Sequence, residues 1–275
     1  MEHKSEVIVI TSGKGGVGKT TTSAAIGAAL AMQGKRVCVI DFDVGLRNLD
    51  LILGCEKRVV FDLIHLIKNE CRIEQALIKA NKINENLFMI AASQVRDKDA
   101  LDKEGVVKVI DELRNRFDFI ICDSPAGIEH GAKMAMYCAD RAIVVTNPEV
   151  SSVSDSDRII GYLDTSVKRM VEDGVNIEKH LLITRYDQKR ARDGDMLSES
   201  DINDILGLPL IGIIPESKDV LISSNNGLPV STNEKSIAGL AYINVAKRLC
   251  GESIDIYQGL EEVGFLKRLF RGIAR

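Results

Sequence analysis

Residues 12–21 read Ser12-Gly13-Lys14-Gly15-Gly16-Val17-Gly18-Lys19-Thr20-Thr21. Within them, Gly13-x-x-x-x-Gly18-Lys19-Thr20 has the residue types and spacing of a phosphate-binding loop. Glycines let successive backbone N–H groups turn inward around phosphate oxygens with no Cβ in the way. A helix opening at Lys19 adds the partial positive charge of its N-terminus. Lys19 then bridges the outer phosphates, and the Thr20 hydroxyl is placed to ligate Mg²⁺. One ammonium serves such a loop. Lys14, at its other end, is surplus to a single site.

Three acids extend the set. Asp41 and Asp43 follow the apolar run 37–40, and Asp123 follows the run 119–122. Each therefore falls at the carboxyl end of an expected strand, where open parallel sheets bind their ligands. At i and i+2 of an extended chain, Asp41 and Asp43 are expected to face the same side. One would hold metal and the other the attacking water.

The elements that must position these groups show as an alternation. Short Val- and Ile-rich runs recur at 7–10, 37–40, 88–91, 119–122, 142–145, 180–184 and 210–214. Between them lie segments at helical period, such as Val106, Val109, Ile110 and Leu113, or Ile159, Ile160, Leu163 and Val167. Ser198-Glu-Ser-Asp201, ahead of Ile202, Ile205 and Leu206, reads as a capping box. Continuous apolar strands with helical crossovers imply an α/β fold, a single doubly wound, mostly parallel sheet with helices on both faces. No internal repeat or low-complexity linker breaks the chain. The expected division is a phosphate-loop domain over 1–251 and a tail over 252–275.

Composition bounds the function. The 275 residues are 45% hydrophobic and 28% charged, the balance of a globular protein, and the net charge of −4 gives no overall basic field for nucleic acid. Six cysteines show no C-x-x-C pair or metal-ligand spacing, which suits buried free thiols in a reducing compartment. The first residues hold only four consecutive apolar positions, and no run approaches the roughly 18 needed to span a bilayer. A cytoplasmic location is expected.

The stretches that carry the chemistry also carry a resemblance. Lys14-Gly-Gly-Val-Gly-Lys19-Thr20 resembles the deviant Walker A motif of the ParA/MinD superfamily of dimeric ATPases. Asp41-Phe-Asp-Val-Gly-Leu-Arg-Asn-Leu-Asp50, Ala92-Ser-Gln, Asp97-Lys-Asp99, Asp123-Ser-Pro-Ala-Gly127, Asn147-Pro-Glu-Val-Ser-Ser152 and Ile214-Pro-Glu216 are similar to its septum-site branch, and the likeness runs over essentially the whole chain. The resemblance implies ATP and Mg²⁺ as cofactors, slow hydrolysis, and a homodimer formed with ATP. In that dimer the extra lysine, here Lys14, reaches the partner's phosphates and acts as an arginine finger would. Asp43 then positions the lytic water, Asp41 supports it, and Thr20, Asp43 and Asp123 form the metal shell. Arg185 and Pro215, at later strand ends, are candidates for the adenine. The resemblance further implies a MinC-like division inhibitor, a MinE-like activator, and reversible attachment to the inner face of the cell membrane. One departure stands out: Ser154 occupies a position where the family tends to carry arginine.

Other loop-bearing classes fit less well. A DNA-partitioning ATPase requires a basic surface. An iron–sulfur ATPase requires cysteines spaced for a cluster. A small synthetase leaves the tail without a purpose, and a binding platform with negligible turnover is separated by steady-state ATPase assay.

That tail ends Gly264-Phe-Leu-Lys-Arg-Leu-Phe-Arg-Gly-Ile-Ala-Arg275. Leu266, Leu269, Phe270 and Ile273 share one helical face, and Lys267, Arg268, Arg271 and Arg275 the other, with Phe265 adding apolar area. A basic amphipathic segment of this kind suits an anionic membrane surface. A dozen residues make a marginal helix in water. Apolar burial at about 1.5–3 kcal/mol per side chain, and about 1 kcal/mol per cation near anionic lipid, is set against about 1–2 kcal/mol per ordered residue. A single tail is thus expected to bind weakly, and two tails in an ATP dimer to gain roughly 10²–10⁴ in avidity.

Overall fold

The computed structural model describes residues 5–94 and 100–256. The membrane-tail residues 264–275 and the Asp97-Lys-Asp99 stretch lie outside the described residues.

The apolar runs fold as β1 (Glu6–Thr11), β2 (Val37–Asp41), β3 (Ile78–Lys79), β4 (Leu87–Ile90), β5 (Phe119–Asp123), β6 (Arg141–Thr146), β7 (Glu178–Tyr186) and β8 (Leu210–Pro215). Among the described residues they form one sheet in the order β3-β4-β2-β5-β1-β6-β7-β8. All pairings are parallel except β3 with β4. The doubly wound, mostly parallel expectation therefore holds. The two-residue antiparallel edge β3 is the strand that periodicity missed, because two residues carry no period.

Because side chains alternate across a strand, a sheet buried on both faces needs apolar residues at every position. Val7 and Val9 pack into one core layer and Ile8 and Ile10 into the other. Cys38 and Ile40 join the first, and Val37 and Val39 the second. All six cysteines are free thiols.

The helix Lys19–Met32 is buried from Thr22 to Ala31, sandwiched between the sheet and the helix Ile237–Leu249. Its sequence explains the close approach: KTTTSAAIGAALAM is rich in alanine and other small residues. A Cβ on Gly27 would come within 2.7 Å of Val39 Cγ2. Two buried polar links cross this layer, Thr22 Oγ1 to the Tyr242 hydroxyl at 3.0 Å and Ser231 Oγ to the Ala25 carbonyl at 2.8 Å. The expected capping box is present, with Ser198 Oγ accepting from the Asp201 amide and Asp201 accepting from the Ser198 amide.

The topology places the site. β1 is flanked by β5 and β6; the chain leaves β1 toward β2 on one side and leaves β5 toward β6 on the other. That reversal opens a crevice at the carboxyl ends of β1 and β5.

Gly27→Leu is expected to lower stability by about 1–3 kcal/mol through overpacking against Val39, read as a shift of the urea midpoint at unchanged slope.

Candidate functional site

The loop after β1 has the backbone its glycines foretell. Gly16 and Gly18 take positive φ of 76° and 99°, and Gly18 caps the helix Lys19–Met32 in the left-handed region. Ideal Cβ atoms at Gly15 and Gly16 would meet nothing within 4 Å, so the loop faces open space. Gly13 is different. A Cβ there would lie 2.1 Å from the Asp155 carbonyl oxygen, so packing of the helix Val150–Ser166 also requires this glycine.

The two lysines point to different places. Lys19 is buried, and its Nζ donates to Ser12 Oγ at 2.8 Å and to the Lys14 carbonyl at 3.3 Å, inside the loop. Lys14 sits on the rim, where its Nζ reaches Glu149 Oε2 at 2.7 Å and Ser151 Oγ at 2.8 Å. Asn147 Nδ2 also donates to Glu149, at 2.5 Å. Asn147-Pro-Glu-Val-Ser-Ser152 thus forms the wall opposite the loop. The motif was visible in the sequence, but a partnership across 135 residues needs β6 set beside β1.

The acids gather as their strand ends require, with one correction. β2 stops at Asp41, so Asp41 and Asp43 do not alternate along one extended strand. The Asp41 carboxylate instead accepts the Asp43 amide at 2.9 Å and the Leu49 amide at 3.4 Å, which turns the chain. Asp41 is 1% exposed and serves as scaffold for this loop, whereas Asp43 is half-buried at the site. Asp41 stands directly beside Asp123 in the β2–β5 register. Asp123 accepts from Ser23 Oγ at 2.8 Å and also from Thr20. Thr21 follows Thr20 on the first turn, half-buried.

Electrostatics follow from this crowding. Burial pushes Asp41 well above the ordinary carboxylate range, and the charge on Asp123 adds to the effect. Burial pushes Asp123 up to about 6, against the opposing pull of Ser23, Thr20 and Lys19. Burial also lowers Lys19, opposed by Asp123 and Asp43. One interior ammonium thus faces the carboxylates of Asp123 and Asp43, with Asp41 beside Asp123. Such a donor set, with the Thr20 hydroxyl, fits a hard divalent cation. No group of three His, Cys, Asp or Glu among the described residues could hold a metal ion by itself. Mg²⁺ takes one or two protein oxygens and completes its shell with phosphate and water.

The base-side candidates also converge. Thr184 Oγ1 donates to the Val17 carbonyl at 2.7 Å, clipping the end of β7 onto the loop. Arg185 follows with φ 53°, a left-handed conformation rare outside glycine, where the β7–β8 register breaks. Tyr186 pairs with Pro215, so Arg185 and Pro215 lie at neighbouring strand ends.

Comparison with known proteins agrees with this geometry. A family model described as an AAA domain matches residues 5–177. The septum site-determining protein MinD of Neisseria meningitidis is 58% identical over 271 residues, covering 97% of this chain and 99% of that one. The chain belongs to the MinD family. MinD of Escherichia coli is 55% identical over 268 residues, with 97% of this chain and 99% of that one covered. Among solved structures, the MinD cell division protein of Aquifex aeolicus superposes with a TM-score of 0.80 at 42% identity, covering 92% of this chain and 100% of that one. MinD of Pyrococcus horikoshii, solved in complex with Mg-ADP, gives 0.76 at 28% identity, covering 89% and 96%. The septum-site resemblance read from the motifs is therefore correct, as is membership of an ATPase family with a role in cell division. No described helix is long and apolar enough to cross a membrane.

The raised Asp123 pKa sets a signed expectation. A carboxylate that binds its proton more tightly folded than unfolded costs stability once ionised, a cost that grows from pH 4 to 6 and is complete above about 6. Asp123→Asn should therefore stabilise the metal-free, nucleotide-free protein at pH 7, by about 1–2 kcal/mol in urea, with the gain shrinking toward pH 5.

Proposed function

We propose that this chain is a Mg²⁺-dependent ATPase that dimerises with ATP and thereby attaches reversibly to the membrane to position the division septum. The observation that carries the reading is the pair of lysines in one loop, Lys19 turned inward and Lys14 held on the rim. An interior lysine satisfies one nucleotide. A second lysine bound to exposed Glu149 can exchange that carboxylate for phosphate presented by another subunit.

In this reading the backbone of residues 14–18 and the ammonium of Lys19 cradle the ATP phosphates, with Thr20 and Thr21 opening the helix beneath them. Mg²⁺, held through Thr20 with Asp123 and Asp43, neutralises phosphate charge when bound. Asp43 orients the lytic water and Asp41 fixes the loop that presents Asp43. Arg185 and Pro215 border the adenine. Lys14 enters the partner's site and stabilises charge developing on the transferred phosphoryl. ATP binding and dimerisation become one event.

Residues 1–251 form the ATPase domain, and 252–275 the tail whose residues 264–275 bind anionic lipid. The resemblance to MinD supports a MinC-like inhibitor as cargo, and a solved MinC:MinD complex of Aquifex aeolicus, 43% identical at a TM-score of 0.81, supports the same partner. A MinE-like activator completes the cycle by stimulating hydrolysis and release. The protein then alternates between the cytoplasm and the inner face of the membrane.

Lys14→Ala is expected to bind ATP but to lose ATP-dependent dimerisation in light scattering, and Lys19→Ala to lose tight nucleotide binding. Normal dimerisation of Lys14→Ala would remove the trans role. Asp43→Ala should bind ATP, dimerise and stay dimeric, with turnover reduced at least about 100-fold; turnover at the parental rate would exclude it from the mechanism. In sedimentation with anionic vesicles, the parental chain should pellet with ATP and far less with ADP. Deleting 264–275, or Leu269→Glu, should abolish pelleting while dimerisation persists; full pelleting by the truncated chain would contradict the membrane role.

A further inference from the structure

Thr20 and Ser23 lie three positions apart on the helix Lys19–Met32 and therefore share one face. Both hydroxyls bond the same carboxylate. Thr20 donates to Asp123, and Ser23 Oγ lies 2.8 Å from Asp123 Oδ1 and 3.1 Å from the Lys19 carbonyl. A serine hydroxyl carries one proton, and the shorter contact to a charged oxygen takes it. Ser23 and Asp123 are both buried, 0% and 2% exposed, so no bulk water replaces this bond.

The two hydroxyls can act together. Thr20 can ligate Mg²⁺ through a lone pair and still donate its proton to Asp123. Asp123 stands beside the like charge of Asp41 and near the ammonium of Lys19. Held by Thr20 alone, the carboxylate would be free to turn toward Lys19 and compete with phosphate for it. Ser23 is placed to prevent that.

We propose that Ser23 is a positioning residue: together with Thr20 it holds the Asp123 carboxylate toward the metal, and so sets the Mg²⁺ affinity of the nucleotide site. The inference rests on the reading of Thr20 and Asp123 as the Mg²⁺ shell. It adds a residue that no motif spacing singles out.

The test uses the full chain with a fluorescent ATP analogue, measuring nucleotide binding in EDTA and then across a MgCl₂ titration. Ser23→Ala is well tolerated in an alanine-rich helix. It should leave affinity in EDTA unchanged but raise the Mg²⁺ needed for half-maximal effect by about tenfold or more, the worth of one buried hydrogen bond to a charged group. Ser23→Thr, which keeps the hydroxyl, should restore most of the loss. An unchanged Mg²⁺ midpoint in Ser23→Ala, or equal weakening with and without Mg²⁺, overturns the proposal. Thr20→Ala and Asp123→Asn separate its failure from that of the underlying reading. If both shift the midpoint and Ser23→Ala does not, only the role of Ser23 falls; if neither shifts it, the Mg²⁺ shell itself is wrong.

Discussion

Asp41 and Asp123 stand side by side at the carboxyl edge of the sheet, both buried, with Asp43 acting on both and Lys19 acting on Asp123. Burying like charges together is unfavourable unless a cation shares the site. Burial pushes both acids above their ordinary range. Everything around them serves to hold that arrangement: Ser23 and Thr20 bond Asp123, the turn amides bond Asp41, and Ser12 fixes Lys19. The fold gives up stability here to keep a site ready for a metal and a polyphosphate.

The same loop is fastened to its surroundings on several sides. Gly13 lets the helix Val150–Ser166 approach its backbone, and Thr184 clips Val17 to the end of β7. Lys14 bonds Glu149 and Ser151, on the opposite wall. Thr22, one turn into the following helix, bonds Tyr242 on the helix that leads toward the tail. The loop is thus held by elements on both sides of β1.

Much of this was legible in the residues. The loop, the strand-end acids and the doubly wound sheet follow from local patterns, since glycine spacing and apolar runs are short-range signals. What was not legible depended on register or on backbone geometry. Asp43 lies past the strand because Asp41 ends it with a side-chain bond, a competition that alternation cannot show. Ser23 meets Asp123 across 100 residues, and Glu149 meets Lys14 across 135. Gly13 reads as a phosphate glycine, and its second constraint, the Asp155 carbonyl, shows only in the packing. β3 is two residues long and carries no pattern of its own.

The division of labour between the lysines can be tested by mixing two inactive chains. Lys14→Ala keeps Asp43 but offers its partner no lysine, and Asp43→Ala offers Lys14 but has no water-positioning acid of its own. If Lys14 acts across the dimer, mixing the two with ATP, Mg²⁺ and vesicles should restore turnover, because one site per mixed dimer holds both groups. If Lys14 acts within its own subunit, neither site is complete and the mixture should stay as inactive as its components.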